Sequence, residues 1–509
     1  MGITKQGRSG TLLPFDMEGL QRGADGAIHY TGVDSTLIEM MDRARMTWPD
    51  LEAIVELGGA RISYGRLWDQ ATRVAGGLRA QGVSVGDRVG LHLGNGVDWV
   101  VSFLGTIFSG AVVVPVNTRF TESERDYVYK DAEVAFAFEP GSPLPDAQPF
   151  AYDGAASGDL AAIFYTSGTT GFPKGAMTSH ENFLSNIETA RRVARLSDEG
   201  LRSLVSVPLF HVTGCNSQLL PSLSLGGTTV IMPAFDVHKF LSAITEEQIS
   251  VLTSVPAIYW LALNQPEFAS LDTSGVTQVL YGGAPTPPEL VRRIMAGFPN
   301  ARVGNGFGLS ETSSISTFLP HEYAATRPET VGFAAPVVEL DLYDPDPVSG
   351  VGELLIRGSN VVLGYWRKPE ATEAAFVDGW LHSGDMARID EEGFCQIVDR
   401  KKDMVNRGGE NVYCVEVENV LSEFPGVFEV AVLGVPDQMM GEKVGAVVVA
   451  APNTVMDPAE IVAFASSKLA DFKVPQFIEL RSTPLPRNPG GKVIKPILRE
   501  ETQWGKPIH

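Results

Sequence analysis

The chain has 509 residues, too many for one hydrophobic core, so two or more domains are expected. Hydrophobic residues make up 44% and charged residues 20%, the composition of a soluble globular protein. A formal net charge of −21 disfavours non-specific binding to nucleic acid or anionic membranes, because the long-range field repels polyanions. Any anionic ligand must therefore be held by local cations and backbone N–H groups. The three cysteines, Cys215, Cys395 and Cys414, are far apart and form no CxxC pair. Neither a disulfide framework nor a zinc site is indicated, and a reducing cytoplasm fits.

The opening "MGITKQGRSGTLLPFD" has no apolar core of signal-peptide length, and Gln6 stands where a myristoylation pattern needs Ser or Thr. Residues 99–116, "WVVSFLGTIFSGAVVVPV", are uncharged and nearly long enough to span a bilayer. Ser109-Gly110 divides them into a short helical pattern and a β-branched run ending at Pro115. A buried helix followed by a buried strand is expected, with no transmembrane segment. Helical patterns and short apolar runs alternate up to about residue 400, from "RVGLHLG" and "DWVVSFLGTIF" to "ISVLTSV" and "TQVLYGG". This is the βαβ rhythm of mostly parallel, helix-covered sheets, an α/β fold. The Pro/Gly/acidic segment 139–159 reads as a surface connection between two halves of that large domain.

Beyond "CQIVDRKKD" the pattern changes. "VYCVEVENVLSEF" and "AEIVAFASSKLADF" read as helices, "VFEVAVLGV" and "KVGAVVVAA" as an antiparallel pair, and "QFIELRS" as a further strand. A smaller α+β domain over residues 400–509 is expected to follow a large domain over 1–399.

Between these landmarks lies "YTSGTTGFPKG", residues 165–175, after the apolar "DLAAIF". Its Lys174 is followed by Gly175, so the G-x-x-x-x-G-K-[ST] spacing of a P-loop fails. The ingredients of a phosphate cradle are nevertheless present. Gly168 and Gly171 let backbone N–H groups converge, Thr166, Ser167, Thr169 and Thr170 offer hydroxyls, and Lys174 supplies a compact charge. A polar surface loop is the plainer alternative.

"YTSGTTGFPKG" resembles the signature loop of the adenylate-forming superfamily of acyl-CoA synthetases, aryl-CoA ligases, luciferases and adenylation domains. "VPLFHVTG", "YGGAP", "GNGFGLSET", "GELLIRG", "GWLHSGD", "DRKKDMVNRGGENVY" and "LPRNPGGKVIK" follow in that superfamily's order, over about residues 159–495. The resemblance implies ATP-dependent activation of a carboxylate as acyl-AMP, with release of pyrophosphate. The acyl group then passes to a thiol, usually that of coenzyme A. It also implies a small C-terminal domain that moves against the large one.

Residue by residue, the resemblance implies that Glu311 binds Mg²⁺, while Ser310 contacts the α-phosphate and Phe307 offers a face to adenine. Gly283, Ala284, Pro285, Gly306 and Gly308 fall at the adenine rim and acyl slot. Asp385 matches the acceptor of both ribose hydroxyls, and Arg400 the ribose and phosphate position. Lys492 resembles the lysine that bridges substrate carboxylate and nucleotide during adenylation, although by composition alone it is a surface lysine. Lys402 occupies the hinge position, and Gly408, Gly409 and Glu410 border the pantetheine channel after rotation. His211, Thr213, Cys215, Gly283, Gly308 and Leu309 are the acyl-pocket candidates; a lone His211 could equally be a packed core residue.

"FHVTGCN" holds no acidic residue to pair a substrate ammonium, which disfavours amino acids. Malonate-activating relatives carry an arginine where this chain has Gly306, which disfavours malonate. A medium-chain, cyclic or aromatic monocarboxylate fits. A ligase loading a carrier-protein thiol is the alternative, against which the compact stretch 336–352 speaks. A non-catalytic scaffold is disfavoured because Glu311, Asp385 and Lys492 are all retained. The expected partners are small molecules (ATP, the acid and coenzyme A), with no nucleic acid and with a homodimer allowed.

Overall fold

Residues 99–116 fold as the sequence pattern requires. The helix Val97–Phe108 buries every residue except Asp98, and Gly110 at φ 78° turns the chain into the fully buried strand Val112–Pro115. Trp99 and Phe103 stack in the helix interior with ring centroids 5.2 Å apart. Among the described residues no helix is long and apolar enough to cross a membrane. The computed structural model describes residues 10–166, 173–197, 200–408, 410–451, 454–487 and 493–508.

Two parallel-rich sheets carry the large domain. The first runs Val134–Phe138, Arg88–Leu91, Val112–Pro115, Leu160–Thr166 and Lys174–Ser179, with only the last pair antiparallel. The second has nine strands, six of them parallel in the order Arg302–Phe307, Gln278–Gly282, Val251–Ser254, Arg202–Val205, Thr228–Ile231 and Glu52–Glu56. Side-chain caps start the covering helices. Thr121 and Glu124 close a capping box on Glu122–Ala132, and Ser179 with Asn182 does the same for His180–Val193.

The segment 139–159 does not separate two halves. The strands before and after it, Val134–Phe138 and Leu160–Thr166, belong to one five-stranded sheet. The segment straps the sheet's helices instead: Phe150 and Tyr152 donate backbone N–H bonds to Thr72 and Phe108 at 2.9 and 2.8 Å, and both rings pack on the core. Alternating apolar runs also hid a third, antiparallel sheet built from Val338–Tyr343, Gly352–Gly358, Phe376–Val377, Trp380–Ile389 and Cys395–Arg400.

The smaller C-terminal domain has its own core of Val417, Leu421, Val432, Val448 and Ile461. Val427–Asp437 and Gly441–Ala450 form the expected antiparallel pair, and Phe477–Arg481 joins them in parallel. Trp260 of the large domain meets Phe428 of the small one edge to face at 4.5 Å.

Trp99→Ala is expected to destabilise the large domain by about 3–5 kcal/mol, the usual cost of emptying a buried aromatic site. The measurement is the urea midpoint of unfolding followed by far-UV circular dichroism. An unchanged midpoint would contradict the packing described for this helix.

Candidate active site

Parallel strands deliver their C-terminal ends to one edge, and here that edge opens into a cleft of about 2030 Å³ shared with the C-terminal domain. A drug-sized ligand needs roughly 300–1,000 Å³, so this space suits more than one substrate. Thr166, Lys174, His211, Thr213, Gly283, Ala284, Pro285, Gly306, Phe307, Gly308, Leu309, Ser310, Glu311, Asp385, Arg400 and Lys402 all line it. These residues come from segments more than 230 positions apart, and the fold brings them together.

Of the phosphate-cradle candidates, Thr166 pairs with Lys174 where Leu160–Thr166 meets Lys174–Ser179. Ser167, Gly168, Thr169, Thr170 and Gly171 lie outside the described residues, as do Gly409 and Lys492. The Lys174 ammonium stands 5.1 Å from the ring centroid of Tyr365. The hydroxyl of Tyr365 donates to Glu311 Oε1 at 2.8 Å, and burial with the adjacent Glu311 charge pushes that phenol well above its ordinary range. Lys174, Tyr365 and Glu311 thus form one cluster.

That contact leaves Glu311 Oε2 for another partner. Among the described residues no group of three or more His, Cys, Asp or Glu side chains could hold a metal by itself. A single carboxylate therefore fits a hard cation that takes most of its ligands from phosphates and water, as Mg²⁺ does.

Asp385 is 2% exposed and lies opposite Arg400 on neighbouring strands, with Arg400 Nε 2.6 Å from Asp385 Oδ1. At the join between domains, burial lowers the Lys402 pKa. Burial also raises the Asp399 carboxyl to about 6. Asp399 accepts the backbone N–H groups of Arg400 and Cys414.

Glycines at the strand ends serve backbone contact first. Gly282 is paired with Gly306, and a Cβ on Gly282 would lie 2.1 Å from the Gly306 carbonyl oxygen. Gly306 itself faces open space, its nearest neighbour being Phe318 at 3.9 Å.

His211 starts a helical segment at the cleft wall, and its Nε2 is buried with no hydrogen-bond partner among the described residues. Cys215 is a correction. It is fully buried in the core beside Leu219 and Phe183 and does not line the cleft, because Cys215–Leu219 winds as a π-helix that turns the thiol inward. Gly408 and Glu410 also lie off the cleft in this arrangement. The cleft is instead lined by Arg487 and Val493, a bridged pair flanking the residues around Lys492.

Tyr365 was missed from the sequence. "GYWRKPE" carries an aromatic after the "GELLIRG" strand, but nothing in the spacing sets it against Glu311. An antiparallel bridge from Tyr365 to Ala176 does so.

Residues 41–366 match the family model described as AMP-binding enzyme, and residues 416–492 match the AMP-binding enzyme C-terminal domain. The chain is 36% identical over 491 residues to a feruloyl-CoA synthase of Amycolatopsis sp, covering 90% of this chain and 97% of that protein. It is 36% identical over 489 residues to a long-chain-fatty-acid–CoA ligase of Mycobacterium tuberculosis, covering 89% and 96%. ATP-bound MatB from Rhodopseudomonas palustris superposes with a TM-score of 0.81 at 32% identity, covering 91% and 98%.

Burial holds the His211 imidazole at about 4, against an ordinary 6.5. Between those values the unfolded chain takes up a proton that the folded chain refuses. The stability tied to this residue is thus full above pH 6.5 and is lost as the pH falls toward 4. His211→Asn is expected to flatten the pH dependence of the thermal midpoint over that window. A variant with the wild-type slope would show an imidazole that titrates normally.

Proposed function

The chain belongs to the AMP-binding enzyme family and is an AMP-forming acid–CoA ligase, and from that premise we propose that it activates a medium-chain, cyclic or aromatic monocarboxylic acid with an uncharged tail. The acid is joined to coenzyme A through an acyl-AMP. The observation that carries the residue assignment is the convergence on one cleft of Thr166, Lys174, Glu311, the Asp385–Arg400 pair and the residues flanking Lys492.

A carboxylate approaching a triphosphate meets like charge, so the first task is local neutralisation within a chain whose overall field is negative. Thr166 and Lys174, with the sequence between them, receive the phosphates. Glu311, held by Tyr365, would hold Mg²⁺, and a bound Mg²⁺ would supply charge neutralisation to the phosphates. Asp385 accepts the ribose hydroxyls, with Arg400 fixing the carboxylate that does so. Gly283, Ala284, Pro285 and Phe307 form the adenine slot, and Ser310 reaches the α-phosphate. The resemblance assigns Lys492 to bridge the attacking carboxylate and the nucleotide, where its ammonium would offset negative charge moving onto phosphate.

One carboxylate oxygen attacks the α-phosphorus while the bond to pyrophosphate breaks. In the second step the coenzyme A sulfur attacks the acyl carbon, AMP leaves, and the thiol proton passes to solvent. With the flanks of Lys492 at the cleft and Gly408 and Glu410 away from it, the present arrangement suits the first step. The second calls for rotation of residues 400–509 against 1–399 about Lys402, which presents Gly408, Gly409 and Glu410 to the pantetheine arm.

The assignment is tested by incubating the protein with Mg-ATP, coenzyme A and a pool of carboxylic acids, and following acyl-CoA, acyl-AMP and AMP by mass spectrometry. An acyl-CoA with matching AMP identifies the acid. Acyl-AMP without any coenzyme A adduct would point to a carrier-protein thiol.

Lys492→Ala is expected to cost about 3–4 kcal/mol in adenylation, the scale of losing one preorganised transition-state donor. Thioester formation from supplied acyl-AMP should fall much less. Equal losses in the two half-reactions, measured by pyrophosphate release and by acyl-CoA formation, would refute the role given to Lys492.

A further inference from the structure

Behind Gly306 the cleft continues as a channel between the helix His180–Val193 and one face of the nine-stranded sheet. Strand alternation places Ser203, Val251, Thr253 and Leu280 on the cavity wall, while Leu204, Leu252 and Val279 pack on the opposite side. Ala190 and Ala194 keep the helical wall thin. Leu201 precedes and Val251 begins its strand, whereas Pro208 and Val255 lie beyond the C-terminal ends; all four line the same space. At about 3.3 Å per residue, the lining from Val251 to Val255 spans roughly 13 Å.

The third wall is the helical run from Val212 to Ser224, and it is not apolar throughout. Gln218 and Ser222 both line the cavity and are both 2% exposed. Gln218 Oε1 and Ser222 Oγ have no hydrogen-bond partner among the described residues. The amide of Gln218 is not free to turn, because its Nε2 donates to the Thr213 carbonyl at 3.2 Å, leaving Oε1 as an obligate acceptor. Ser222, in the α-helix Leu220–Ser224 that follows the π-helix, lines the same cavity. A Cβ built on Gly227 would meet Leu201 Cδ2 at 2.7 Å and Ser222 Oγ at 2.8 Å, which sets Ser222 at the deep end.

An apolar tail would leave both groups desolvated and unpaired, at a cost per group that natural sites avoid. Resting on the ligase reading above, we propose that the acid carries a hydroxyl group remote from its carboxylate, donating to Gln218 Oε1 and accepting from Ser222 Oγ. A carbonyl at the same place could accept from Ser222 but would present Gln218 with a second acceptor. Gln218 and Ser222 are thus specificity-determining residues at the distal end of the substrate.

The test uses the full-length enzyme with Mg-ATP and coenzyme A. Straight-chain acids of graded length are each supplied unsubstituted, with a terminal hydroxyl and with a terminal keto group, and AMP formation gives kcat/KM. At one chain length the hydroxy acid should exceed its unsubstituted counterpart by about tenfold or more, with the keto acid between them. Gln218→Met and Ser222→Ala should each shrink that ratio. A general packing defect would slow all three acids alike and leave the ratio standing.

Equal rates for hydroxy and unsubstituted acids at every length overturn the inference, as does a preference that survives both substitutions; either leaves the ligase reading intact. AMP formation from no acid in the series, with none from the mixed acid pool, overturns the ligase reading and this inference with it.

Discussion

Gly282 and Gly306 face each other on neighbouring parallel strands so closely that a single methyl group on Gly282 would reach within 2.1 Å of the opposite carbonyl oxygen. This approach sets the floor of the cleft. It brings the turn bearing Ser310 and Glu311 up beside the strand end bearing Gly283 and Ala284. It also leaves Gly306 with no side chain across the entrance to the channel behind it. The nucleotide end and the acyl end of the site therefore share one backbone contact.

Electrostatics work at two ranges. The net charge of −21 gives a far field that repels ATP, coenzyme A and the acid alike. Binding then has to be short-range, through Lys174, Arg400 and backbone donors in a partly enclosed space where screening is weaker. Charges at the site are themselves held by specific neighbours: Glu311 by the Tyr365 hydroxyl, and Asp385 by Arg400. A carboxylate restrained in this way loses little freedom when its ligand arrives. The domain join combines a buried carboxyl at Asp399 with a partly buried ammonium at Lys402, so neither charge is fully solvated there.

Local pattern was readable wherever one residue type decides the outcome. Ser109-Gly110 ended the buried helix as expected, since Gly110 takes a positive φ that other residues resist. The antiparallel pair of the C-terminal domain followed from two β-branched runs. Long-range partners were not readable in this way. Cys215 looked like a pocket residue from its place in "FHVTGCN", but the π-helical turn faces it into the core. The same turn exposes Gln218 to the channel. The segment 139–159 had the composition of a linker, yet its aromatic residues and backbone N–H groups bind it to the sheet's helices.

By itself the sequence determined the chemistry on offer: a Gly/Ser/Thr loop with one lysine, a glutamate after a glycine-rich strand end, an aspartate after Ser-Gly, and a lysine in a late glycine turn. Residue type and local spacing, properties of the chain alone, pointed to a phosphate cradle; acyl-adenylate formation came from the resemblance of the ordered motifs to the adenylate-forming superfamily. Tertiary structure decided which of these groups share a space, which hydroxyl restrains Glu311, and what lines the acyl channel. Those relations come from strands and helices distant in sequence, packed at distances that no local pattern encodes. Burial then leaves His211, Gln218 and Ser222 with polar atoms that have no hydrogen-bond partner among the described residues, a relation that only the packed structure reveals.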